Sequence, residues 1–114
     1  MEIERRKYPR LNVSFPIECS DPAQKNYFYT VSKDISLGGV KIIYDKFLPK
    51  QTNLKLNINL IDNVVTAISR VCWCNKMRIS DRYMIGLEFN ELDTESKKNI
   101  LNFFEKIEGQ EKTS

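Results

Sequence analysis

Three arginines, Arg5, Arg6 and Arg10, stand near the amino terminus, and Asp34-Ile35-Ser36-Leu37-Gly38-Gly39 follows about a strand's length later. A guanidinium is a planar fork that reads the O6/N7 edge of guanine through two parallel hydrogen bonds. It grips phosphate in the same way, as a lysine cannot. An aspartate accepts from the opposite, N–H-bearing edge of that base. A hydroxyl adds a small polar contact, and bare glycine backbone lets a ligand come close. Together these groups suit a guanine nucleotide that carries phosphates.

The elements around them must bring the two halves together. Pro9 biases Tyr8 toward extended conformations, so Arg6 and Arg10 need not project side by side as they would one helical turn apart. A bent, extended arm places them on different parts of one ligand. In the second half, Asp34 and Ser36 share a face if a strand continues through them, while Ile35 points into the core. Gly38 and Gly39 are free to take positive φ and to turn the chain sharply.

Val13, Phe15, Ile17 and Cys19 alternate with polar residues and Pro16, which predicts a strand at an edge or a bulge. Asn26 to Ser32 is aromatic and β-branched, a second strand running into Asp34. Val40–Tyr44 restarts the pattern after the glycines. Leu54, Leu56, Ile58 and Leu60 give the clearest period-two segment, and Asp62-Asn63 is a turn into Val64–Trp73, whose apolar residues occur at both parities. Tyr83, Ile85, Leu87 and Phe89 form the last strand. From Asp93, a candidate N-cap, Ile100, Leu101, Phe103, Phe104 and Ile107 recur at helical spacing, and Gly109 marks the expected end of that helix. Six short strands and one terminal helix predict an all-β domain, a small antiparallel barrel whose closure removes exposed edges.

The chain has 114 residues, one domain by length, with 41% hydrophobic and 29% charged residues. Its formal charge of +3 is modest, and four cations against two acids in residues 1–10 concentrate a surplus there. An anionic ligand is favoured at that arm, whereas bulk nucleic acid binding calls for a stronger basic stripe. Cys19, Cys72 and Cys74 are odd in number and there is no histidine, so no metal site is expected. The thiols read as free and packed in a reducing compartment, although Cys72 and Cys74 on a strand would share one face. Nothing in the chain has catalytic spacing: no paired carboxylates, no phosphate loop and no metal motif. No apolar run is long enough to be an integral membrane segment and the first residues are acidic, from which a cytoplasmic, non-enzymatic protein is expected.

Arg6-Lys7-Tyr8-Pro9-Arg10 followed by Asp34-x-Ser36-x-x-Gly39 resembles the two-part signature of PilZ domains, receptors for the bacterial second messenger cyclic di-GMP. The resemblance covers nearly the whole chain. It implies a six-stranded antiparallel β-barrel of the split-barrel type over residues 11–108, with a C-terminal α-helix over about 93–108. A flexible arm, 1–10, precedes it and a disordered tail, 109–114, follows. It further implies that Arg6 and Arg10 hold guanine and phosphate, that Arg5 adds a phosphate contact, and that Asp34, Ser36, Gly38 and Gly39 complete a cup around a base. Trp73 matches a family position that can bear on the base. A stand-alone receptor of this kind would signal through an effector protein that the sequence does not identify. Two other readings stay open from the residues: a PilZ-like protein adaptor that binds no nucleotide, and a small basic barrel binding single-stranded nucleic acid through its arm and Tyr27, Phe28 and Tyr29.

Overall fold

Alternation decides which side of each strand is dry, and in this chain it closes a barrel. The computed structural model describes residues 14–23 and 25–113, with the backbone alone for 107–113. The elements are β1 (Pro16–Asp21), β2 (Asn26–Ile35), β3 (Gly39–Tyr44), β4 (Asn53–Asn59), β5 (Val64–Lys76), β6 (Tyr83–Leu92) and α1 (Thr94–Thr113). All neighbouring strands are antiparallel. They close in the order β1-β2-β3-β6-β5-β4. Ile17 and Cys19, Val40 and Ile42, Leu54, Leu56 and Ile58, Val65 and Val71, and Ile85 and Leu87 fill the interior. Each buried Leu, Ile or Val of this kind contributes about 1.5–3 kcal/mol.

Pro16 does not mark an edge, because β1 is paired on both sides. It is the first residue of the strand, opposite Val31, and the ladder to β4 starts only at Ile17 with Ile58. A missing N–H is tolerated there. The expected register ambiguity of β5 has two sources, the apolar Val64 and Ile68 on its outer face and an extra residue further along. Between the pairs Val71–Leu87 and Trp73–Gly86, Cys72 is an extra residue, so the inward parity changes partway along the strand.

Asp93 caps the helix as its sequence context predicts: the Ser96 N–H donates to Asp93 Oδ1 at 2.7 Å and the Lys97 N–H to the Asp93 carbonyl at 3.0 Å. Ile100 and Phe104 are buried against the barrel, and the Phe103 ring meets Phe15 edge to face at 4.9 Å. The helical backbone runs to Thr113, past Gly109, where the sequence reading ended it and began a tail. Gln110, Glu111 and Lys112 are good helix formers with no proline behind them, so the cost of one glycine, about 1 kcal/mol, does not stop the helix.

Candidate functional site

Ser32 and Ile35 both face the interior although three positions apart, which a regular strand does not allow. Ser32 pairs with Ile42, Asp34 with Lys41 and Ile35 with Val40, so Lys33 is the extra residue of a β-bulge. The phase changes there, and Asp34 turns to the outer side of the sheet, its side chain 13% exposed, while Ile35 enters the core at 1% exposure. The second bulge, at Cys72, does the same for Trp73. Through Lys41–Gly86 and Gly86–Trp73, the register lays Asp34, Lys41, Gly86 and Trp73 in one row across β2, β3, β6 and β5. Three interstrand steps lie between its ends, about 14 Å measured along the curved sheet.

Each member of the row is held by its neighbours. Lys41 Nζ lies 3.5 Å from Asp34 Oδ2. Trp73 is half-buried, and its indole lies where a side chain on Gly86 would be: a Cβ there would collide with the indole Cε2 and Nε1. The absence of a side chain at Gly86 therefore lets a flat aromatic surface settle on the sheet. The adjoining outer row is Gly39, Glu88 and Arg70. Arg70 donates through Nε at 2.9 Å and Nη2 at 2.5 Å to Glu88 Oε1, and through Nη1 to Gln51 Oε1 at 2.9 Å. The Glu88 carboxylate holds the Arg70 guanidinium above its ordinary pKa by hydrogen bonding and charge.

The turn between β2 and β3 departs from the sequence expectation in two respects. The strand stops at Ile35, so Ser36 does not share a strand face with Asp34. Instead Ser36 is buried at 5% exposure and closes the turn: its N–H donates to the Gly39 carbonyl at 2.9 Å, and its Oγ accepts from the Gly38 N–H at 3.0 Å. No glycine among the described residues has positive φ, so Gly38 and Gly39 are not there for left-handed backbone. Gly39 is required by space, because a Cβ would strike the Leu87 carbonyl oxygen. Gly38 ties the turn to β6 by accepting from the Phe89 N–H at 3.0 Å. A depression of about 600 Å³ adjoins the turn, lined by Leu37, Gly38, Glu88, Phe89 and Leu92 among others.

Arg5, Arg6 and Arg10, and with them the arm expected to be flexible, lie outside the described residues. The point from which the chain leads back to them is fixed. The Phe15 N–H donates to Ser32 Oγ at 2.9 Å and the Ser32 N–H to the Phe15 carbonyl at 2.8 Å. Phe15 is thus clipped to Ser32, two residues from Asp34.

Asp34 and Trp73 stand at the two ends of one outer row that runs across four of the six strands, and the Ser36–Gly39 turn adjoins its β2–β3 end. Sequence reading missed Lys41, Arg70 and Gln51, which carry no motif; the parity of Lys41 with Gly39 was the one available signal. Cys72 and Cys74 do not form a same-face pair. The bulge separates them, Cys74 pairs with Ile85, and its Sγ accepts from the Leu48 N–H at 3.5 Å. All three cysteines are free thiols.

The model of the PilZ domain matches residues 4–106, taking in the arm, the Asp34–Gly39 segment and the whole barrel. The chain belongs to the PilZ domain family. Solved PilZ structures share its fold. The PilZ domain of YcgR from Escherichia coli, with c-di-GMP, superposes with a TM-score of 0.73 at 15% identity, covering 96% of this chain and 97% of that one. The K. pneumonia MrkH–c-di-GMP complex gives 0.72 at 18% identity over 97% of this PilZ chain and 56% of MrkH. The Bacillus subtilis inhibitor of motility MotI/DgrA gives 0.74 at 21% over 89% and 49%. At such identities the likeness is one of fold, and this PilZ chain spans about half the length of MotI/DgrA and MrkH. A comparison with curated proteins found no match. Among the described residues no helix is long and apolar enough to cross a membrane.

Proposed function

We propose that this PilZ domain is a non-enzymatic receptor for cyclic di-GMP, with the ligand seated on the outer face of β2, β3, β6 and β5. One observation supports the reading: two bulges turn Asp34 and Trp73 to the outer face, at the ends of one row across β2, β3, β6 and β5, with the turn that Ser36 closes beside the Asp34 end. Asp34 accepts from the N–H edge of a guanine, and the Trp73 indole offers a stacking surface, a contact worth about 1–3 kcal/mol per base in single-stranded nucleic acid binding. Gly38 and Gly39 let the ligand approach the backbone. Arg6 and Arg10 take guanine and phosphate, each good bidentate pair with guanine discriminating by about 1–3 kcal/mol, and Arg5 adds a phosphate contact.

Micromolar binding needs about 8 kcal/mol net, and each residue ordered on binding costs about 1–2 kcal/mol of backbone entropy. The arm therefore wraps the ligand with many contacts or contributes nothing, and its closure over the outer face creates the surface that an effector protein reads. Calorimetric titration with cyclic di-GMP, beside GTP and cyclic di-AMP, tests the reading. Selective binding is expected, weakened strongly by Asp34→Ala and by Arg10→Ala in proteins that remain folded, with amide exchange slowed in residues 4–10 at saturation. No binding at millimolar cyclic di-GMP, or wild-type affinity in both variants, overturns it.

A further inference from the structure

Two connections meet at the end of the barrel away from the Ser36–Gly39 turn. Tyr44 pairs with Tyr83 at that end, as Gly39 pairs with Glu88 at the other, five residues or about 17 Å along the strands. The β5–β6 hairpin projects there, closed by a hydrogen bond from the Met77 N–H to the Arg82 carbonyl at 2.9 Å. Residues 45–52 run beside its base: the Phe47 ring sits 6.0 Å from that of Tyr83, and Leu48 bonds to Cys74. Ile79 at the hairpin tip is 96% exposed and Phe47 is 57% exposed. Neither side chain serves the core.

The same two segments carry Lys46, Lys50, Lys76, Arg78 and Arg82 against Asp45 and Asp81, a surplus of three that equals the formal net charge of the whole chain. Lys41–Asp34, Arg70–Glu88 and Lys106–Asp62 are ion pairs elsewhere on the barrel; among the described residues none of these five cations takes part in one, and here they gather at one end. An aliphatic tip flanked by guanidinium groups at positions one before and three after it has one natural counterpart. We infer that this end of the barrel docks on an anionic phospholipid surface. Ile79 enters the boundary between headgroups and acyl chains, Phe47 lies at headgroup level, and the Lys and Arg stems reach along the apolar layer while their charges meet lipid phosphates. A nucleic acid calls for several rings on which successive bases stack; here Phe47 is the one large exposed ring and the most exposed side chain, Ile79, is aliphatic. Docked in this way, the barrel holds its Ser36–Gly39 turn about 17 Å from the hairpin, open to water.

The test is co-sedimentation of the full chain with large unilamellar vesicles of phosphatidylcholine, with and without phosphatidylglycerol. Binding is expected only to the anionic vesicles, falling as salt is raised. Removal of one basic residue near such a surface lowers the partition coefficient about fivefold, so Arg78→Gln with Arg82→Gln should lower it roughly 25-fold. Ile79→Ser should lower it as well, at unchanged salt dependence. These residues lie on an exposed loop, and circular dichroism checks that each variant is folded. No binding to phosphatidylglycerol vesicles at low salt overturns the inference. Equal binding to neutral vesicles, or undiminished binding by the double variant, does so too. Binding to single-stranded DNA or polyglutamate but not to vesicles also overturns it and reassigns the cations to an acidic macromolecule.

Discussion

Gly86→Ala inserts a methyl group where the Trp73 indole rests, and the sign of its effect depends on whether that indole is present. With Trp73 in place the new Cβ meets Cε2, Nε1 and Cζ2 of the ring, the last at 2.8 Å, and the ring must lift from β6. Overpacking of this kind costs about 1–3 kcal/mol, while alanine in a strand regains roughly 0.5–1 kcal/mol over glycine. The net expectation is a destabilisation of about 0–2.5 kcal/mol. In a Trp73→Ala background the collision disappears and the backbone gain remains, so the same substitution should stabilise by roughly 0.5–1 kcal/mol. Urea unfolding of the four proteins, followed by far-ultraviolet circular dichroism because two of them lack the single tryptophan, measures the coupling. If Gly86→Ala has one effect in both backgrounds within about 0.5 kcal/mol, the indole does not lie on β6. The aromatic platform of the proposed site would then be lost.

Ser32→Ala removes the buried oxygen that accepts from the Phe15 N–H; a destabilisation of about 1–3 kcal/mol is expected, and urea unfolding within a few tenths of wild type would contradict the clip. Burial pushes the Cys19 thiol up from 9.0 to about 12, with the Glu18 charge adding to the shift. The folded value lies above the unfolded one, so this contribution to stability is complete below about pH 9 and is lost as pH rises toward 12. A stability profile measured across that range should fall more steeply in the wild type than in Cys19→Ala, and identical alkaline slopes would refute the burial. Ile61 holds φ at 80° with its side chain exposed. Because left-handed backbone costs an L-residue about 1–2 kcal/mol, Ile61→Gly should raise the thermal midpoint, and a lowered midpoint would show that the side chain is used.

The architecture was legible wherever one parity held throughout a strand. Leu54, Leu56 and Ile58 face inward as their alternation requires, and Asp93 caps the helix as an aspartate before a periodic apolar segment should. The strand order was not legible, since the period of a strand carries no address for its partner. The bulges were hidden for a related reason: an extra residue appears in the sequence only as a lapse in alternation, and the mixed parities of Val64–Trp73 were such a lapse without a location. Asp34, Ser36, Gly38, Gly39 and Trp73 were named from their chemistry, but that chemistry could not tell that Ser36 closes the turn or that Gly39 is required by the Leu87 carbonyl. Lys41 and Arg70 belong to the same outer face only through register, which no local pattern encodes.

Closure of the barrel restricts how another protein can read it. Every strand is bonded to two neighbours, so among the described strands none offers a whole free edge to which a partner could add a strand of its own; the ladders fall short only along residues 26–31 of β2 on its β3 side and the end of β5 beyond its β4 pairing. Recognition passes mainly through side chains. On the proposed function, a partner that distinguishes the liganded from the empty state senses a change in surface chemistry, and point substitutions on the outside of the barrel should separate nucleotide binding from recruitment without touching the hydrogen-bonded frame.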